Sequence, residues 1–416
     1  MKEANAPELK MTKAVWLALL LLVVSIGINY IDRTNLSVAA PRLRIDLGLA
    51  PSDLGLLLSA FFWTYACFQI VSGWLVDRYD VNWVFGTGFL IWSLATAATG
   101  LVGSFGALFA MRLVLGAAES VAYPSYSKII ATRFPEERRG ITNALIDAGS
   151  KSGPALGTLI GGLVVAQLGW RALFLILGLG ALLWVPLWVI WAPRGHAGEV
   201  KVRHQGPGYL RILRERSAWG TFVGLFSVNY AWYFLITWLP TYLVVERHFS
   251  MSMMATMGSV PLFGLAVSAT ISGWVSDRLI MRGVTPTRVR KSFAAAGLLL
   301  CMLVLPAAVV ANHVACIALL TAACLSFGLC TSNHWAITQT LAGSAAAGKW
   351  TGAQNAFGNL AGVAAPWVTG IIVSATGHFL YAFVAVCIVL VAGASSFLFV
   401  VGRIEEVDWG TAGRAA

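Results

Sequence analysis

The chain has 416 residues, of which 58% are hydrophobic and only 11% charged, with a formal net charge of +11. A soluble domain carries about 25% charged residues, so this composition excludes one and points to an integral membrane protein. In such a protein the positive balance reflects basic loops on one side of a bilayer rather than a nucleic-acid partner.

A polar start with Lys2, Lys10 and Lys13 precedes the first apolar run, which is too long for a signal peptide and has no small-residue cleavage site. Twelve apolar segments follow, at roughly 14–37, 54–76, 81–103, 105–130, 141–167, 171–192, 217–245, 253–277, 290–311, 313–340, 350–375 and 378–401. A span needs about 20 apolar residues, and lipid-exposed backbone must satisfy its own hydrogen bonds, so all twelve are expected to be helices. Arg133, Arg138 and Arg139 follow the fourth span, and Arg278, Arg282, Arg288, Arg290 and Lys291 the eighth. With the bases of residues 193–216 they fall on one side, which places both termini in the cytoplasm. The six cysteines lie inside apolar runs, with neither CxxC spacing nor a loop pair, and read as packing residues.

GWLVDR at 73–78 recurs as GWVSDR at 273–278, each copy after the second span of its half. The expected organisation is two six-helix halves, 1–192 and 217–416, joined by a cytoplasmic linker at 193–216. Two parallel repeats of this kind predict a transporter with substrate bound near the midplane. Gly73 and Gly273 are expected to permit close helix approach. Asp77, Arg78, Asp277 and Arg278 should sit at helix ends as gating residues.

The chemistry begins at NYIDRTN, residues 29–35, where Asp32 and Arg33 stand side by side inside the first span. Intramembrane ionisable groups are expensive and functional by default. In the fourth span Arg112 and Glu119 are seven residues apart and share a face. Counting about 1.5 Å per residue from Val15 puts Asp32 in the outer part of the hydrocarbon, about level with Arg33 and Arg112, with Glu119 deeper. Glu119 lies among Gly116, Ala117, Ala118 and Ser120 with no base one turn away on its own helix. Such a carboxylate can alternate between protonated and ionised states, as proton coupling requires. The bland alternative is that these four charges merely neutralise one another. In the fifth span Asp147 and Lys151 are spaced i, i+4, which reads equally as an internal pair or as a second anion anchor at Lys151. The C-terminal spans carry neutral polar and aromatic groups instead: Asn229, Tyr230, Tyr233, Ser332, His334, Trp335, Gln354, Asn355 and Asn359. These suit hydroxyls and ring faces. His334 is expected to be a satisfied core residue.

GWLVDRYDVNWV resembles the loop between helices 2 and 3 of the major facilitator superfamily, with Asp80, Asn82 and Trp83 where that loop ends in glycine and arginine. NYIDRTNLSVAAP, RLVLGAAESVAYPS, TWLPTYL and GAQNAFGNLAGVAAPWVTG resemble its anion:cation symporters, many of whose bacterial members are similar to sugar-acid/proton symporters. The resemblance implies an all-α fold of twelve helices in two pseudo-symmetric halves, and proton-coupled uptake of an organic anion such as galactonate, glucarate or a hexuronate. It assigns proton coupling to Asp32 and Glu119, the substrate carboxylate to Arg33 and a charge-partner role to Arg112. By the same resemblance Tyr30, Tyr65, Ser332, Trp335 and Asn355, with Gln354 beside them, line the pocket. Ser150 stands where galactonate-type carriers have a polar substrate contact, and the adjacent Lys151 departs from that pattern. Expected partners are a small organic anion, a proton and the lipid bilayer of the inner membrane, with no nucleic acid, cofactor or metal, for a monomer that is not an enzyme. The rival readings are an antiporter exporting drugs or metabolites, suggested by Gly140, Gly149, Gly153-Pro154 and Gly157, and an uncoupled facilitator.

Overall fold

The computed structural model describes residues 13–134, 136–192 and 207–409. Among them there is no strand, and eleven helices are long and apolar enough to cross a membrane. They are α1 (Val15–Leu47), α2 (Pro51–Arg78), α3 (Val81–Thr99), α4 (Phe105–Ile130), α6 (Trp170–Trp191), α7 (Arg216–Val245), α8 (Met251–Met281), α9 (Pro286–Val309), α10 (His313–Gly343), α11 (Ala345–Thr376) and α12 (Leu380–Val400). The remaining helix, α5 (Glu136–Leu168), completes the expected twelve.

Helix α5 is less apolar because small residues line its contact with α1. A Cβ added at Gly149 would lie 2.7 Å from Ile26 Cγ2, at Gly153 2.6 Å from Tyr30 Cβ, and at Gly157 2.3 Å from Thr34 Oγ1. Gly149, Gly153 and Gly157, three of the glycines that resembled an antiporter signature, thus lie at a close contact of two helices. Helix α1 runs to Leu47, ten residues past its expected end, and carries Pro41 within it. Asp32 is therefore near the middle of α1 rather than toward its outer end.

By packing the chain divides into two compact units, Met1–Leu49 with Ala60–Val200 and Ser250–Ala255, and Ala50–Ser59 with Lys201–Phe249 and Thr256–Ala416. These limits depart from halves at 1–192 and 217–416, because two short segments pack on the unit their sequence does not suggest. In the first unit Gly162 meets Ala255, where an added Cβ would lie 2.5 Å from the Ala255 side chain. In the second, Gly55 meets Gly370, with 2.9 Å to its Cα. Residues 193–206 of the expected linker lie outside the described residues, and its remainder contains a short helix, Tyr209–Arg214.

The first unit is held by an aromatic stack between α3 and α6. Phe89 stacks on Trp184 at 4.1 Å, Trp184 on Trp188 at 5.0 Å, and Phe85 meets both indoles edge-on. Trp184 Nε1 donates to Leu21 O at 2.9 Å and Trp188 Nε1 to Asn82 O at 3.0 Å, so each buried indole has its partner. In the second unit α10 and α11 meet at Gly343, whose φ of 59° is the left-handed conformation that glycine adopts freely. The segment after α12 closes over this corner, with Val407 N donating to Leu341 O and Trp409 Nε1 to Ala342 O, both at 3.0 Å.

The repeated hexapeptide ends α2 and α8. Asp77 lies 3.9 Å from Lys128 of α4, and Asp277 3.7 Å from Arg290 of α9, so the two copies use partners on different helices. Arg278 lies over the Trp274 ring at 5.0 Å. Gly73 has no atom close enough to restrict a side chain, and Gly273 meets Ser332 only at ordinary contact distance, so neither glycine is a close-approach point here. In the following loop Asp80 caps α3 by accepting from Asn82 N at 2.9 Å and Trp83 N at 3.2 Å. Such an N-cap contributes about 1 kcal/mol.

Candidate functional site

The charged residues of α1 and α4 meet inside the first unit. Pro124 explains where Glu119 is presented. Proline has no N–H to donate to the carbonyl four residues back and its ring crowds that carbonyl, so regular helix breaks at Ser120 and Val121, immediately after Glu119. The Ser120 hydroxyl donates to Ala117 O at 2.6 Å and pairs with Ser72 Oγ of α2 at 2.6 Å. Four residues before Ser120, Gly116 lets α4 reach the α2 backbone, where a Cβ would lie 2.1 Å from Phe61 O. Thr64 Oγ1 ties the same pair by donating to Leu113 O at 2.7 Å.

Arg33 Nε donates to Glu119 Oε2 at 3.2 Å, and the two side chains are 4% and 0% exposed. Glu119 thus has a base beside it, supplied by α1 rather than by its own helix. Aromatic rings surround the guanidinium: its carbon lies 4.8 Å from the Tyr30 ring, 4.5 Å from Tyr65 and 5.0 Å from Phe61. Facing a cation with ring π-electrons stabilises it without neutralising it. Tyr30 and Tyr123 share a hydrogen bond between hydroxyls at 3.0 Å. Asp32 is also buried, and its Oδ1 accepts from Asn35 Nδ2 at 2.8 Å. Asp32 and Arg33 are neighbours in sequence but point to different partners, as adjacent helical positions must.

Arg112 is buried over the Phe61 ring at 5.3 Å, under the electrostatic influence of both Glu119 and Asp32. Its Nε and Nη1 have no hydrogen-bond partner, nor do Asp32 Oδ2 and Glu119 Oε1. Four ionisable groups share this buried cluster, and the Arg33–Glu119 ion pair joins two of them. Buried polar atoms are nearly always satisfied, which makes the cluster the candidate site. Phe61, Tyr123 and Asn29, the last wholly buried beside the Glu119 carboxylate, belong to the cluster and escaped the sequence reading. Asn29 opens the NYIDRTN stretch and Tyr123 is one turn past Glu119, so both had a positional signal. Phe61 had none.

On α5 Lys151 makes the i, i+4 pair, its Nζ donating to both Asp147 oxygens, at 2.7 and 2.8 Å. Ser150 turns its hydroxyl onto the Asp147 carbonyl at 2.7 Å, again within its own helix.

In the second unit the neutral polar groups divide into ties and available groups. Ser332 Oγ donates to Ala269 O at 2.6 Å and Gln354 Nε2 to Thr221 O at 3.2 Å, so both hold neighbouring helices together. Asn229 Nδ2 donates to Gly358 O at 3.0 Å, and Tyr233 OH to Asn359 Oδ1 at 3.2 Å. His334 is buried with Nδ1 3.2 Å from Cys330 O, consistent with a core residue, and its ring lies 4.9 Å from that of Trp335. Asn355 is half-buried and makes no hydrogen bond among the described residues.

A helical membrane protein with a buried, incompletely paired charge cluster in one unit and neutral polar groups in the other has the features of a solute carrier. The family model of the Major Facilitator Superfamily matches residues 22–366, and the chain belongs to that superfamily. It is therefore a multi-pass membrane transporter. Among curated relatives it is 28% identical to a probable galactarate/D-glucarate transporter of Bacillus subtilis, over 96% of this chain and 95% of that one. It is 31% identical to a probable sulfoacetate transporter of Cupriavidus necator, over 90% of each, and 27% identical to a D-galactonate transporter of Escherichia coli, over 94% and 96%. Its fold is similar to that of a bacterial homologue of the human lysosomal transporter Spinster, solved inward-facing and occupied, with a TM-score of 0.82 at 17% identity over 93% of this chain and 97% of that one.

Proposed function

We propose that this transporter is a proton-coupled symporter that takes up an organic anion, of the sugar-acid class, across the bacterial inner membrane, with both termini in the cytoplasm. The observation that carries the reading is the buried Arg33–Glu119 pair at 3.2 Å. Arg33 cannot lose its proton at physiological pH, so the negative charge paired with it at 3.2 Å is removed when Glu119 takes one up. A proton on Glu119 frees the guanidinium to bind a carboxylate, and loss of that proton restores the pair and expels the anion. Asp32, with one oxygen unpaired, is the second proton site, and Arg112 balances whichever carboxylate is ionised. Asn355 supplies a hydrogen bond to substrate hydroxyls and Trp335 a ring face.

Relatives named as galactarate, glucarate and galactonate carriers support the sugar-acid class. The relative named as a probable sulfoacetate transporter favours a second reading, a small sulfonate, which the same guanidinium could bind through two oxygens. Purified protein in liposomes, acid outside, is tested for accumulation of D-galactonate, D-glucarate, sulfoacetate and an aromatic acid. Accumulation of a sugar acid that collapses with a protonophore is expected. Uptake that ignores the proton gradient would replace the symporter with an uncoupled facilitator, and accumulation of sulfoacetate alone would replace the substrate class.

A further inference from the structure

One cavity, of about 490 Å³, lies apart from the charge cluster, within the first unit. It sits where α2 ends and α3 begins, against the last turns of α4 and α6. Its walls include Lys128, Arg133, Trp83, Trp188, Leu90 and Val189. The polar part is basic. Arg133 Nε is buried and without a hydrogen-bond partner. Lys128 Nζ donates to Val76 O and lies 3.9 Å from Asp77, and an ammonium has three protons to donate. Among the described residues the carboxylate on the wall is Asp80, which is engaged by the two N–H groups at the start of α3.

The apolar part opens outward. Trp83, Leu90 and Val189 are exposed large side chains, with Trp74 and Tyr79 exposed alongside at the end of α2. Tryptophan and tyrosine gathered at one end of spanning helices mark the level of the lipid head groups. An occupant here meets two guanidinium or ammonium groups inside and hydrocarbon-facing side chains at the mouth. That combination matches one molecule with an anionic head and apolar tails.

We propose that this cavity binds an anionic phospholipid, its phosphate held by Arg133 and Lys128 and its glycerol and upper acyl chains lying on Trp83, Leu90 and Val189. The Lys128–Asp77 contact makes the site continuous with the end of α2, so a seated lipid also braces that helix end.

The test is native mass spectrometry of the full chain, released from micelles holding equal phosphatidylglycerol and phosphatidylcholine. Wild type is expected to retain phosphatidylglycerol preferentially. Arg133→Gln and Lys128→Gln should each lower that retention about fivefold, the effect of one basic group near an anionic lipid. Arg133→Lys should preserve it, and Trp83→Ala should lower retention of both lipids. Brominated phosphatidylglycerol should quench wild-type fluorescence more than that of Trp83→Phe. Thermal unfolding in lipid-free detergent identifies variants that fail to fold. Should Lys128→Gln be among them, Arg133→Gln and the quenching experiment decide. Equal retention of the two lipids by wild type, undiminished retention by folded Arg133→Gln, or displacement of the lipid by inorganic phosphate alone would each overturn the proposal.

Discussion

Replacing Glu119 by glutamine removes one charge from the Arg33–Glu119 pair while leaving an oxygen in place to accept from Arg33 Nε. Breaking a buried pair with nothing left behind costs about 3–5 kcal/mol. Here the amide acceptor remains, and Tyr30, Tyr65 and Phe61 face the guanidinium carbon at 4.5 to 5.0 Å. Each such contact stabilises a cation by about 0.5–2 kcal/mol, so the variant should fold. Its binding should change in a defined way. In wild type an anion reaching Arg33 displaces an ionised Glu119, so binding takes up one proton. One proton taken up means an affinity that rises about tenfold for each pH unit of acidification, across the range where Glu119 is ionised in the free protein. Glu119→Gln has no carboxylate to displace, so this slope should vanish. The assay is isothermal titration of purified protein with the transported sugar acid at stepped pH, paired with uptake into liposomes. The variant should exchange labelled for unlabelled substrate but not accumulate it against a gradient. A wild-type affinity indifferent to pH, or full gradient-driven accumulation by Glu119→Gln, would refute the role of the pair.

Arg33→Lys keeps a charge but loses the planar fork that matches a carboxylate, so binding should weaken strongly, and Arg33→Ala should abolish it; near wild-type affinity in the latter would move the anchor to Arg112. Asn355→Ala should lower sugar-acid affinity roughly 5- to 150-fold, the range for one lost hydrogen bond of about 1–3 kcal/mol, and titration of purified protein reads it directly. If an aromatic acid is instead lost in Trp335→Ala while Asn355→Ala is neutral, the substrate class is wrong. Lys151→Ala should leave anion binding within about threefold, because a partly exposed i, i+4 pair is worth only about 0.3–0.5 kcal/mol and Lys151 is held by Asp147; a hundredfold loss would make it a substrate group. Gly157→Val should lower the unfolding temperature in detergent through an overpacking cost of about 1–3 kcal/mol, since its Cβ falls 2.3 Å from Thr34 Oγ1, and an unchanged temperature would contradict the packing of α5 on α1.

The sequence by itself determined the membrane class, the twelve helices and which ionisable groups lie within them. Hydrophobic length is a local property, and an Asp-Arg pair or a lone glutamate in an apolar run stands out without any fold. The end of α1 was not legible, because its last turns carry Arg42, Arg44 and Asp46, which resemble a loop although the backbone stays helical. Pairing was not legible either. Glu119 looks isolated along α4, and only the tertiary fold, in which Gly116 of α4 packs against α2 and Gly149, Gly153 and Gly157 of α5 pack against α1, brings Arg33 to its carboxylate. Lys151 carried two equal readings, and only the structure shows both Asp147 oxygens within its hydrogen-bond reach. Ser332 and Gln354 read as polar groups by type, and only their position shows that each donates to a backbone carbonyl of a neighbouring helix. Residue type sets what a side chain can donate, accept or ionise, and which of those capacities remains unused is decided by the neighbours that only tertiary packing supplies.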